Sequence, residues 1–166
     1  MSHSAVTLEE LLGHFQETAA KWKAFFAANA GASEVATDIT QSGNIGALVW
    51  HIYAASTRHS ERLLGEPVSD LEGTTPVKDL AGAWELQARA AANLERFLAR
   101  TGDAALNEVF RMTTKSGHEI SCSRRKLCLH VFVHAIRHWA QIGTIVRQHG
   151  FPPGWPQDIA GSEAIR

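Results

Sequence analysis

The sequence predicts an all-α four-helix bundle, and three observations carry that prediction. Four stretches of about 21 to 27 residues repeat apolar side chains at steps of three and four. Each is bounded by capping or turn residues. Only one short stretch between them reads as a hairpin or ordered loop. At 1.5 Å rise per residue such helices are rods about 35 Å long, and four rods that each bury one stripe pack most simply as a bundle. A single domain over residues 1–166 accommodates them.

Thr7 caps the first helix, and Glu10, three residues on, completes a capping box. Leu8, Leu11, Leu12, Phe15, Ala19, Trp22 and Phe26 form its stripe. "NAGAS" ends it, with Gly31 expected as a left-handed C-terminal residue. Ser42, Gly43 and Asn44 open the second helix, which runs to Gly65. Its stripe is Ile45, Leu48, Ile52, Ala55 and Leu63, with His51 beside it. After the loop "GEPVSDLEGTT", Thr75-Pro76 is expected to start the third helix, with proline at its favoured first position. That helix carries Leu80, Trp84, Ala88, Ala91, Leu94 and Leu98 and stops near "RTGD". "NEVFRMTTKSGHEIS" lacks helical period and has turn residues at Lys115-Ser116-Gly117, which predicts a short hairpin or ordered loop. Ser121 or Ser123 begins the last helix and Gly150 stops it. "FPPGWP" cannot continue it.

The composition excludes several classes. Hydrophobic residues are 45%, charged residues 20%, and the net charge is −1. No basic stripe speaks for nucleic acid, and no polybasic patch or long apolar run speaks for a membrane. The first residues lack a signal-peptide pattern, and two cysteines are too few for a disulfide framework, so the expected location is cytoplasmic.

The residues left to explain are histidines. "HVFVHAIRHWAQI", 130–142, places His130, His134 and His138 at four-residue steps. The core spacing of the last helix runs Leu127, Val131, His134, His138, Ile142, Ile145. Two imidazoles therefore stand where packing wants apolar groups, and burying an unpaired polar ring costs about 1–3 kcal/mol. Histidines four apart face the same way, with Cβ atoms about 6 Å apart, so their nitrogens can converge on one ion. His51, toward the bundle interior and one turn from small Ala55, is the best third ligand. His130 could be a fourth ligand, a supporting partner or a groove residue. His59 drifts about 80° around the helix from His51 and is expected to face solvent. His3, His14, His118 and His149 read as surface residues.

"NIGALVWHIYAASTRHSERLLG" and "GHEISCSRRKLCLHVFVHAIRHWAQIGTIVRQHGFPP" together resemble the DinB-like (DinB/YfiT-like) family of metalloenzymes, with similarity along nearly the whole chain. The resemblance implies a bundle of up-down-down-up topology, often dimeric. It also implies a triad for zinc or nickel at His51, His134 and His138. Relatives often follow the last histidine with Arg-Gly-Gln, whereas this chain reads Trp139-Ala140-Gln141 and keeps only the glutamine. Known members include thiol S-transferases that use low-molecular-weight thiols.

An ion on three neutral imidazoles keeps its charge and favours the deprotonated form of water or of a thiol. A divalent-metal-dependent thiol S-transferase acting on a small electrophile is the leading expectation. A metal-dependent hydrolase and a non-catalytic metal-binding stress-response protein are the alternatives. Nitrogen ligands also admit iron or manganese. Trp50 and Trp139 could equally wall the pocket or serve as bundle or dimer-surface aromatics. Arg124, Arg125 and Arg137 could meet a substrate carboxylate or lie on a solvated face. Gln141 could fix an imidazole N–H. Cys122 and Cys128 read as structural. The aromatics of "FPPGWP" suggest either a homodimer interface or a groove lid.

Overall fold

The computed structural model describes residues 5–71, 78–114 and 117–165. Four long helices form the bundle: α1 (Leu8–Ala28), α2 (Ile45–Leu64), α3 (Leu80–Arg100) and α4 (Arg124–Gln148). Their starts follow from side-chain caps. Thr7 and Glu10 make the capping box, and Asn44, Asp79 and Ser123 each accept from an amide of the first turn. Of the two candidate serines, Ser123 is the cap of α4, and Ser121 lies on a strand. Gly65 and Gly150 adopt the left-handed backbone (φ 72° and 84°) that lets a helix stop without a Cβ clash.

Two boundaries differ from expectation. Gly31 is not left-handed. It lies in a 3-10 turn (Ala30–Glu34), and α1 ends at Asn29, whose side chain donates to the Phe25 carbonyl. Phe151 of the tail packs over Gly31, its ring 3.4 Å from where a Cβ would stand. The described part of α3 begins at Leu80 behind the Asp79 cap, and the expected Thr75-Pro76 start lies outside the described residues.

Side-chain contacts give the helix directions. Trp22 stacks on Trp139 and Phe15 meets Phe132, so α1 and α4 run parallel. Gln16 bonds Glu95 while Phe26 meets Trp84, so α1 and α3 are antiparallel. The Thr57 hydroxyl donates to the Leu86 carbonyl and Arg96 bonds Glu66, so α2 and α3 run parallel. His51 meets His138 while His59 meets His130, so α2 and α4 are antiparallel. The order is up, down, down, up, as the resemblance implied. A parallel α2–α3 pair demands a connection that returns the length of the bundle, which accounts for the long segment after Gly65.

The connections carry small antiparallel pairs. Between α1 and α2, β1 (Ala36–Thr37) pairs with β2 (Gly43–Asn44). Before α4, β3 (Val109–Thr113) pairs with β4 (Glu119–Ser123) from Val109 opposite Ser123 to Thr113 opposite Glu119. This is the expected hairpin. Lys115 and Ser116 of its turn lie outside the described residues, and Gly117 has φ 82°. Among the described residues no helix is long and apolar enough to cross a membrane.

The core is aromatic at the α1–α4 seam. Trp22 is 4.9 Å from Trp139, their planes 10° apart, and Trp155 of the tail closes edge-on at 5.3 Å. The "FPPGWP" segment therefore covers a groove of its own bundle. Glu17 fixes the tail by accepting from the Ser162 hydroxyl and the Glu163 amide.

Candidate metal centre

The sequence dictates where imidazoles from α2 and α4 can meet. In an antiparallel pair, residue numbers rise on one helix as they fall on the other. His51 therefore lies across from His138, and two turns along His59 lies across from His130. His134 falls between these rungs, and the residue facing it on α2 is Ala55, small enough to leave it room. The ring centroids are 5.3 Å apart for His51–His134, 5.2 Å for His51–His138 and 4.5 Å for His134–His138. Each of the three offers one ligand atom, and these atoms all lie within 4.8 Å of one another. The trio could hold a metal ion.

Its electrostatics suit a cation ligand set. His51 is pushed down to about 4 and His134 to about 2, above all because burial penalises the charged ring and then because the neighbouring imidazoles and arginines repel it. His138, buried at 1% exposure, is lowered for the same first reason. All three are neutral near pH 7, each with a lone pair to offer. The Gln141 side-chain oxygen accepts from His138 Nδ1 at 2.7 Å. An amide oxygen can only accept, so Nδ1 carries the proton and Nε2 the lone pair. Arg137 Nη2 lies 3.3 Å from that Nε2, a contact that a bound ion would replace. His134 Nδ1 is buried without a hydrogen-bond partner, at a cost of about 1–3 kcal/mol. Convergence, neutrality and this orphaned nitrogen are the fit of the residues to a divalent ion.

Through His51 and His134 the site opens into a cavity of about 680 Å³ between α2, α4, the hairpin and the segment around Leu71, while His138 is buried behind them. No fourth ligand joins the group among the described residues. His130 turns instead to His59, 5.2 Å away, and stands 5.7 Å from His134, which makes it a cavity-wall residue.

Several sequence-based readings change. His59 does not face solvent: it lines the cavity, half-buried, with Nδ1 unpartnered. The rotation of about 80° was right, but α2 is packed on nearly every side, so turning away from His51 does not reach water. The missed signal was "IGALVWHIYAAST", which has no polar stripe at all. His14 is part-buried in a second groove with Glu17 and Lys21, while His118 is exposed; His3 lies outside the described residues. His149 Nδ1 bonds the Ile145 carbonyl at the end of α4. Neither tryptophan walls the cavity. Trp50 is buried beneath Lys78, and Trp139 stacks on the opposite side of α4. Arg124 pins α2 by donating to the Leu63 carbonyl, and Arg125 pairs with Asp103. Cys128 is buried, its thiol pushed up to about 12, whereas Cys122 lines the cavity from β4.

Comparison with known families matches residues 1–160 to the model of the DinB family. No curated protein sequence matches the chain.

Two outcomes are expected. Alanine at His51, His134 or His138 lowers zinc affinity at least about 100-fold, and Gln141→Leu lowers it about tenfold. Alanine at His59 or His130 changes it less than about threefold, all measured by competition with a chelating dye. Equal losses at His130 would move the site one turn along α4. The second outcome concerns pH. His51, His59 and His134 have folded values of about 4, 3 and 2 against 6.5 when unexposed to the fold. The unfolded chain therefore takes up protons first, and metal-free protein loses stability as pH falls from about 6.5 to about 2, with no such loss above about 6.5. Calorimetric scans that stay flat over that window would refute neutral burial of these rings.

Proposed function

The chain belongs to the DinB family, and from that premise we propose that it is a divalent-metal-dependent enzyme that transfers the sulfur of a low-molecular-weight thiol to a small electrophile. The observation that carries the reading is three neutral imidazoles converging within 4.8 Å at the edge of a cavity of about 680 Å³. A closed structural site needs four protein ligands, whereas three ligands beside a cavity suit a site that admits an exchangeable group. A resident ion, zinc or nickel by preference, would supply Lewis acidity that makes the thiol a thiolate at neutral pH.

The chain's own residues do the remaining work. His51, His134 and His138 would hold the ion. Gln141 fixes His138 as its Nδ1–H tautomer, so that Nε2 points inward. Arg137, beside that nitrogen, presents a cation to the negative charge of the sulfur nucleophile. Leu71, Leu127 and Ile120 give part of the cavity wall an apolar surface against which the carbon under attack would be shielded from water. The thiol loses its proton to solvent at the mouth, a sulfur–carbon bond forms, and the leaving group departs with its electron pair.

A homodimer is proposed as well. Leu129, Val133 and Ile136 expose apolar side chains (38%, 61% and 39%) at helical spacing on the outer face of α4, a stripe that a second copy would cover by two-fold symmetry. A cytoplasmic location agrees with two cysteines that remain free thiols.

Protein purified without an affinity tag and loaded with zinc or nickel should consume cysteine-based thiols in the presence of an aryl halide. The rate should fall at least about 100-fold in His51→Ala and after chelation. Ester or amide cleavage that needs metal but no thiol would replace this reading with hydrolysis. A metal-loaded protein inert in both assays would favour the holding role. For the dimer, light scattering should give twice the chain mass for the parent and the chain mass for Val133→Glu. A monomeric parent ends that proposal.

A further inference from the structure

The end of the cavity farthest from the triad is rich in cationic side chains among the described residues. Arg58 and Arg62, from the last turns of α2, and Lys126, from the first turn of α4, line it, and Asp70 is the carboxylate among the described lining residues. Asp70 acts on Arg58. Glu61 is the acidic neighbour of Arg62, but its oxygens are committed elsewhere. Oε1 takes the Arg89 guanidinium at 2.5 Å and the Ser69 hydroxyl at 2.8 Å, and Oε2 takes the Ser69 amide at 2.8 Å. The Arg62 guanidinium makes no hydrogen bond or ion pair with another described residue. It is also part-buried and repelled by Arg58, which lowers it from its ordinary value. The attraction of Glu61, whose oxygens also serve Arg89 and Ser69, offsets this burial only in part.

The neighbouring histidines do not offer a second cation site. His59 and His130 face each other at 5.2 Å, but Arg58 and Arg62 both act repulsively on His59. A divalent ion there would meet the same repulsion, whereas an anion would meet the Arg62 guanidinium, the Lys126 ammonium and imidazole N–H donors. The cavity lining also includes the apolar side chains of Leu71, Leu127 and Ile120.

We infer that this end of the cavity binds an anionic group, a carboxylate or a phosphate, on the far end of the molecule whose reacting end reaches the triad. The inference rests on the reading of the triad as the reacting end. His51 and Arg62 are eleven residues apart on α2, about 16 Å at 1.5 Å per residue. Side chains lean toward the N-terminus of their helix, which brings Arg62 back toward the triad. The ligand class is therefore a molecule with an anionic terminus on the order of 10 Å from its sulfur or electrophilic carbon, joined by a stem with apolar surface.

The test uses the full-length protein loaded with cobalt(II), with 8-mercaptooctanoate and 8-mercapto-1-octanol as probes. Thiolate-to-cobalt absorption reports the reacting end, and the ratio of dissociation constants reports the far end. The acid should bind at least about tenfold more tightly than the alcohol, and Arg62→Gln with Lys126→Gln should bring the acid to the alcohol's level. Equal affinities with absorption present overturn the anion inference and leave the triad reading standing. If neither thiol gives the absorption, the triad reading fails, and calorimetry with octanoate against octanol still decides the far end: tighter octanoate supports the inference and parity overturns it. An octyl phosphate arm, tighter or weaker than octanoate, assigns the phosphate or the carboxylate.

Discussion

The register between α2 and α4 is the constraint on which the site depends. Because the two helices run antiparallel, one choice of alignment sets every rung at once: His51 opposite His138, His59 opposite His130, and the Leu63 carbonyl opposite Arg124, which donates to it at 2.8 Å. A slip of one turn would move the rungs by about 5.4 Å, more than the 4.8 Å within which the three ligand atoms lie. The aromatic seam on the other side of α4 resists such a slip. Trp139 is stacked on Trp22 and edge-on to Tyr53, so α4 cannot slide without unstacking large rings.

The central position of α2 gives the site its electrostatic character. Packed on nearly all sides, α2 must satisfy its polar groups within the protein. Ser56 and Ser60 donate to carbonyls of their own helix, Thr57 reaches the Leu86 carbonyl, and Asn93 donates to Ser60. The imidazoles have fewer such partners. His138 has Gln141, but His59 and His134 each keep a buried nitrogen without one. Burial then acts on them as desolvation and keeps the rings uncharged. Packing and ligand chemistry thus meet at the seam where α2, buried on nearly every side, lies against α4.

Local chemistry made the helices and their starts legible in the sequence. The capping box at Thr7, the glycine stops at Gly65 and Gly150 and the hairpin before α4 are set by residues within a few positions. The convergence of His51 with His134 and His138 was approachable because core spacing put two imidazoles where apolar groups belonged. The misreadings all involve tertiary partners. Gly31 lies under Phe151, more than a hundred residues away. Trp50 and Trp139 sit beside ligand candidates in sequence but point elsewhere, because adjacent helical residues diverge by about 100°. Arg62 and His59 were unreadable as cavity residues until the hairpin and the segment near Leu71 were seen to roof that part of α2.

The two long connections have a consequence for how this architecture can diversify. The nitrogen trio belongs entirely to two rigid helices, while Leu71, Met112, Ile120 and Cys122 come from the crossover and the hairpin. The crossover segment is tethered through Ser69 to Glu61, a polar tie that tolerates exchange of the residues beside it. Replacing roof residues can therefore reshape what is admitted without disturbing the donor atoms beneath. A lineage can in this way retain one inorganic reagent while its clientele drifts.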